Sequence, residues 1–255
     1  MQTAVERAID TMWSRYHEPL SLADMADTAI LSKFYFSRVF RTLTGTSPGR
    51  FLTAIRLTKA KQLLLETSSS VTEISYMVGY NSLGTFTSRF TRSVGVPPAR
   101  YRALSRGGVL PPSSLSGPAR GTPAGSVAGW VGVPETGTPV RVYVGAFKDP
   151  IAQGMPVACD IRDGAGPYRL EAMPEGRFYL RAAVVALDDL DPNPSKRRPL
   201  FVGGAEAASV RAGRTAEADI ETRSACALDL PILLALPELD TRAPSDVGLA
   251  VPAPR

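Results

Sequence analysis

The side chains best suited to chemistry are scarce and badly spaced for it. The 255-residue chain has one histidine, His17, and two cysteines, Cys159 and Cys226. A structural zinc takes three or four ligands from His, Cys and carboxylates, and this inventory does not offer them at ligand spacing. A Ser-His-Asp triad would have to be built on His17, which falls at the end of a helical pattern where the dipole favours it as a C-terminal residue. The two cysteines form no metal or redox motif and read as buried free thiols of a reducing compartment, Cys159 as a small apolar group on a strand. Asp188, Asp189 and Asp191 lack the alternating oxygens, glycine and distal glutamate of a calcium loop and read as a solvated turn. Lys196-Arg197-Arg198 follows a proline-rich run and reads as an exposed loop. No catalytic residue, metal site or cofactor is expected, and the chain is not read as an enzyme.

The remaining polar chemistry is cationic, and its distribution is uneven. Residues 1–105 hold 13 Lys and Arg against 7 Asp and Glu, a balance of +6, whereas residues 106–255 hold 16 against 17. The first part is therefore expected to meet a polyanion and the second to do something else. Composition is that of a folded protein, 44% hydrophobic with mean hydropathy −0.02, which argues against a disordered chain or a membrane bundle. The start, Met1 to Glu6, turns acidic and amphipathic where a signal peptide stays apolar. The most apolar run, Leu228 to Leu239, is broken by Pro231 and Pro237 and is shorter than the ~20 residues that span a bilayer. A cytoplasmic protein with no membrane partner is expected.

Two kinds of element position these charges. Residues 1–102 follow helical periodicity: Val5, Ala8, Ile9, Met12, Trp13 and Tyr16 form one apolar face, with Thr3 and Glu6 expected as a capping box. Residues 106–123 contain four Gly, four Pro and three Ser and read as a linker. From about residue 124 the period becomes two. Val140, Val142, Val144 and Ala146 alternate with Arg141, Tyr143, Gly145 and Phe147, and Phe178, Leu180, Ala182 and Val184 repeat the habit. The expected architecture is multidomain, α then β. An all-α domain of about seven helices (1–105) is followed by the linker, a small all-β sandwich of about seven strands (124–241) and a loose tail (242–255).

The helical part repeats itself. At an offset of 49, Ser21 falls on Ser70 and Asp24 on Glu73. At 50, Ser32 falls on Ser82, Phe36 on Phe86, Phe40 on Phe90, Gly45 on Gly95, Pro48 on Pro98 and Phe51 on Tyr101. Each copy has a capped short helix, a tight turn, and a longer helix that starts at a serine and ends at a glycine. That is the grammar of a helix-turn-helix unit, whose second helix enters the major groove. Phe36, Val39, Phe40 and Leu43, and then Phe86, Phe90 and Val94, form the inward stripes, so the four phenylalanines are core and not base-stackers. The outward residues are Lys33, Phe34, Ser37, Arg38 and Arg41 in the first copy, and Leu83, Gly84, Thr85, Thr87, Ser88, Arg89 and Arg92 in the second. A long helix between them, capped by Ser47 with Pro48 in its first turn, is roughly 27 Å long. One duplex turn is about 34 Å, so one chain could set both units in successive major grooves.

These features resemble the AraC/XylS family of bacterial transcription regulators over residues 21–102. The residues carrying the resemblance are Ser21-Leu22-Ala23-Asp24-Met25-Ala26, Leu31-Ser32, Phe36-x-x-x-Phe40 and Gly45-x-Ser47-Pro48. Arg56-Leu57-x-x-Ala60-x-x-Leu63-Leu64, Val78-Gly79-Tyr80, Phe86-x-x-x-Phe90, Gly95-Val96-x-Pro98 and Tyr101-Arg102 continue it. The resemblance implies double-stranded DNA and RNA polymerase as partners. It implies base contacts from Lys33, Phe34, Ser37 and Arg38, and from Leu83, Gly84, Thr85, Thr87 and Ser88. Two departures stand out. Leu83 and Gly84 offer no side-chain hydrogen bond to a base, so the first recognition helix is expected to discriminate sequence and the second to anchor phosphates through Arg89, Arg92 and Thr85. The DNA-binding part also comes first, where most family members carry it last. In the second half, Gly166-Pro167-Tyr168-Arg169-Leu170 and Met173-Pro174-Glu175-Gly176 resemble the transthyretin-like or carboxypeptidase-regulatory sandwich. By analogy this half senses a small molecule; the alternative is a ligand-free interaction or dimerisation module.

Overall fold

Seven helices and eight strands follow one another in the computed structural model, which describes residues 1–105, 124–187 and 198–233. The expected linker 106–123, the acidic turn at Asp188, Asp189 and Asp191, Lys196 and Arg197, and the tail from residue 242 lie outside the described residues. No described helix is long and apolar enough to cross a membrane.

The helices are α1 (Gln2–Ser14), α2 (Leu22–Thr28), α3 (Lys33–Thr44), α4 (Pro48–Glu66), α5 (Val71–Met77), α6 (Leu83–Val94) and α7 (Pro98–Ser105). Local chemistry fixes their ends. Ser21 and Asp24 close a reciprocal capping box on α2 at 2.7 and 3.2 Å, and Ser70 and Glu73 close the same box on α5 at 2.7 and 3.1 Å, satisfying amide donors that a helix start leaves orphaned. Gly45 and Gly95 end α3 and α6 in the left-handed region, at φ 72° and 95°, which glycine enters without a Cβ penalty. The box expected at Thr3 and Glu6 does not form. α1 begins two residues earlier, with Met1 as its N-cap, and Glu6 accepts instead from the Gln2 side-chain amide at 2.8 Å.

Two apolar cores divide the helical half, and the sequence repeat reappears as matching packing. In the first, Phe36, Phe40 and Phe51 stack edge-to-face with centroids 5.4 Å apart, among α1, α2, α3 and the start of α4. In the second, Phe86 and Phe90 pack with tilted rings 5.6 Å apart and Phe90 meets Tyr101 edge-to-face at 5.8 Å, among α5, α6, α7 and the end of α4. α4 serves both: Phe51, Leu52 and Ile55 enter the first core and Leu57, Ala60 and Leu64 the second. Nineteen residues make it about 28 Å long.

The strands are β1 (Gly125–Gly132), β2 (Val140–Phe147), β3 (Ala158–Asp163), β4 (Gly166–Met173), β5 (Gly176–Ala186), β6 (Phe201–Val210), β7 (Thr215–Glu217) and β8 (Ile220–Ser224). They form one hydrogen-bonded path, β3-β2-β5-β6-β8-β1-β4, with β7 added beside β1. This differs from the expected sandwich, and β8 is the reason. Its first residues, Ile220 and Glu221, pair in parallel with Val131 and Gly132 of β1, while Thr222, Arg223 and Ser224 pair antiparallel with β6. One short strand thus joins what a sandwich keeps as two layers. The path curls until its two ends, β3 and β4, meet at the turn between Asp163 and Gly166, giving a nearly closed barrel around Val127, Val131, Val142, Leu170, Leu180, Val184 and Ile220.

The two halves touch. The β2–β3 connection reaches the end of α6, where the Gly154 amide donates to the Ser93 carbonyl at 2.7 Å. Met155 there packs over Gly95, where a Cβ would lie 2.8 Å from its sulfur. After β8, residues 228–233 pass against both helical cores.

Candidate nucleic-acid interface

Burial of Phe36 and Phe40 at no measurable exposure turns the opposite face of α3 outward. Lys33, Phe34, Arg38 and Arg41 are exposed and Ser37 is half-buried. Phe34, in the first turn, is 91% exposed, far more than an aromatic ring in water alone would favour. The Arg38 guanidinium lies 5.3 Å from the Tyr35 ring, which steadies a long side chain on the helix surface.

The same logic orients α6. Phe86, Phe90 and Val94 point inward, and Leu83, Gly84, Thr85, Ser88, Arg89 and Arg92 are exposed with Thr87 half-buried. Ser82 caps the helix by accepting from the Thr85 amide at 3.2 Å, and the two hydroxyls lie 2.9 Å apart. Leu83, Gly84, Thr87, Ser88, Thr91 and Arg92 border a shallow concavity of about 730 Å³ lined by no residue of the β half. Arg89 leans onto α4, its Nη1 donating to Thr53 Oγ1 at 3.4 Å.

Of the twelve residues expected from the sequence, ten are exposed on the two longer helices of the repeat, and Ser37 and Thr87 are partly buried there. Sequence reasoning missed Arg50 and Thr53. With Arg89, Arg92 and Gln153 they line a cleft of about 430 Å³ between α4, α6 and the β2–β3 connection. The only sequence signal at position 50 is that Arg50 falls on Arg100 at the repeat offset of 50. Among the described residues, Arg38, Arg41, Arg50, Arg89 and Arg92 make no ion pair within 4 Å, and neither does Lys33, which acts on Asp24 only at longer range. Their charge is left for an external anion. Other arginines of this half are consumed internally: Arg56 donates to the Tyr16 and Glu18 carbonyls at 2.7 and 2.6 Å, and Arg102 to those of Leu64 and Ser69 at 3.1 and 2.6 Å. Burial, with Arg89 nearby, lowers the Arg56 guanidinium from its ordinary value without discharging so strong a base.

The remaining candidates settle simply. His17 lies beyond the end of α1, exposed, with its Nε2 3.9 Å from Glu18. Neither cysteine forms a disulfide, and they are not buried as expected: Cys159 is partly buried, and Cys226 lies on the surface beside Arg223. No group of three or more potential metal ligands occurs among the described residues.

Known proteins share this half of the chain. The profile of a family described as a helix-turn-helix domain matches residues 25–104. YobQ of Bacillus subtilis, an HTH-type transcriptional regulator, is 32% identical over 102 residues, 40% of this chain and 42% of its own length. The raffinose operon transcriptional regulatory protein RafR of Pediococcus pentosaceus is 36% identical over 95 residues, 37% of this chain and 34% of its own. The chain thus spans well under half the length of these curated relatives. Among solved structures, an AraC-type transcriptional regulator from Chromobacterium violaceum aligns with 31% identity over 40% of this chain and 92% of that one, at a TM-score of 0.39. The matched profile, the relatives and the duplicated geometry agree that residues 25–104 form a helix-turn-helix domain similar to those of HTH-type transcriptional regulators.

Proposed function

We propose that the protein is a sequence-specific, DNA-binding transcription regulator that sets α3 and α6 in successive major grooves of one duplex. The observation that carries this reading is the pairing of two matched helices whose outward faces are exposed, cationic and, among the described residues, without an ion pair within 4 Å. α3 does most of the base reading, through Lys33, Phe34, Ser37 and Arg38, with Lys33 and Arg38 able to donate to guanine acceptors and Phe34 able to meet a thymine methyl. α6, with Leu83 and Gly84 at its entry, holds the phosphates through Arg89, Arg92 and Thr85. Arg41 and Arg50 add to the phosphate-binding charge. RNA polymerase is the partner such a regulator addresses from its site.

The β half is assigned the sensing of a small molecule. In support, a cleft of about 930 Å³ runs between the end of α3 and the sheet, bordered by Arg177, Tyr179, Arg181, Arg223, Asp229 and Ile232. Convergent polar groups in a concave site favour a ligand over a flat protein-docking face.

The test is a titration of the full chain against selected and scrambled duplexes at several salt concentrations. Lys33→Ala or Arg38→Ala is expected to weaken the selected duplex by about 5- to 150-fold, equivalent to ~1–3 kcal/mol, and the scrambled one much less. Arg89→Ala is expected to weaken both alike and to reduce the salt slope by about one. Equal losses on both duplexes from the Lys33 and Arg38 changes would refute the division of labour.

A further inference from the structure

The chain beyond β8 crosses back over the helical half instead of leaving the molecule. Arg223 grips Asp229 through two bonds of 2.9 and 2.6 Å, and the Cys226 amide donates to the same carboxylate at 2.8 Å. These contacts outweigh the cost of burial and hold Asp229 below the usual carboxylate range. They close the 223–229 stretch into a fixed loop. From there Leu230 packs against both helical cores, a position it shares with Tyr16, and Leu233 enters the second core at 4% exposure. Ile232, between them, faces the outer surface of β2 and β5 beside Tyr143 and Phe147. The almost fully buried Lys61 of α4 donates from Nζ to the Ile232 carbonyl at 3.3 Å.

We propose that residues 226–233 are a strap that fixes the two helix-turn-helix units at one separation, with Leu230 and Leu233 as positioning residues for DNA reading. The inference rests on the reading that both units bind one duplex. Apart from this segment, the units are joined by α4, by Tyr16, which packs against both cores, and by the Tyr16 and His17 carbonyls beside the turn at Gly79. A single helix resists shortening, but it does not by itself fix how two bodies are rotated about its ends. A leucine seated across both cores does, because any relative rotation withdraws its apolar surface into water. The strap is anchored to β8 and lies on β2 and β5, so the β half holds the geometry that the helices present to DNA.

The experiment uses the full chain with spin labels on unnatural side chains at exposed Thr42 and Thr72, which leaves the native cysteines in place, and measures the distance between the two units without DNA. The same proteins are then titrated with a selected duplex and with versions carrying one base pair inserted or removed between its half-sites. The expected wild-type result is one narrow distance and a marked spacing penalty. In the double variant Leu230→Ala, Leu233→Ala the distance broadens and the penalty falls roughly tenfold, an ordinary size for coupling between sites. Asp229→Asn, whose bonds are to Arg223 and the Cys226 amide, is expected to move both readouts in the same direction, and it decides the matter if the double variant loses helical circular dichroism. An unchanged narrow distance in folded double variant, or in Asp229→Asn when the double variant unfolds, overturns the strap. Failure of the wild type to prefer any duplex overturns the DNA-reading assignment instead, while the distance measurement still judges the strap.

Discussion

Ile30 and Gly79 occupy the same place in the two copies of the repeat, just after the short helix, and both are left-handed, at φ 57° and 84°. Their amides make the same turn bond, to Asp27 and to Tyr76. Glycine takes that conformation freely, whereas a β-branched residue there is strained by ~1–3 kcal/mol. Ile30 is also 76% exposed, so little burial offsets the strain. Ile30→Gly is therefore expected to raise stability by about 1 kcal/mol, after the greater chain entropy of glycine is counted. Gly79→Ala should act in the opposite sense, by about 2 kcal/mol or more, since its Cβ would meet the His17 carbonyl at 2.9 Å and Arg56 at 3.1 Å. Denaturant unfolding of the two variants checks both signs; a destabilised Ile30→Gly would mean that the isoleucine makes a contact worth more than its strain.

Among the elements, the capped helices carry a pH dependence that follows from their boxes. Backbone and hydroxyl bonds from Ser21 and Ser70 hold the Asp24 and Glu73 carboxyls below their ordinary range. Their folded values lie below the unfolded ones, so the stability they contribute is present above about pH 4 and is lost as pH falls through the folded value. The thermal midpoint is expected to drop on going from about pH 7 to about pH 3, and the double change Asp24→Asn, Glu73→Gln should flatten part of that drop. Gly84, by contrast, has open space around it. Gly84→Ala should stabilise α6 by ~1 kcal/mol and leave the base preferences of α3 unchanged, which thermal melts and the duplex titration read separately. The legibility of these elements followed their range. Boxes, glycine caps and the Phe36/Phe40 and Phe86/Phe90 stripes rest on neighbours three or four positions away, so the sequence displays them directly. The Thr3–Glu6 box failed because Gln2 could start the helix earlier and take Glu6 for itself. β8 misled because its two ends serve different strands, and alternation along five residues does not say which neighbour each residue pairs with.

In the whole molecule, the repeat made the first half readable at a distance: the aromatic trio of one core is the trio of the other, 50 positions on. The outward faces followed from those inward ones. What stayed hidden was the contact between halves. Leu230 and Leu233 read as part of a proline-broken apolar run, and their partners on α4 lie some 170 positions away, beyond any periodic signal. Cys226 looked like a core thiol for the same reason, although it sits at the exposed foot of that segment. The central claim is that one chain reads two adjacent major grooves. A hydroxyl-radical and base-methylation footprint of the full chain on a selected duplex tests it most directly. Two protected major-groove patches are expected on one face, about 10 base pairs apart, with the α3 patch sensitive to Arg38→Ala and the α6 patch to Arg89→Ala. A single patch, or protection that spreads without preference along the duplex, would contradict it.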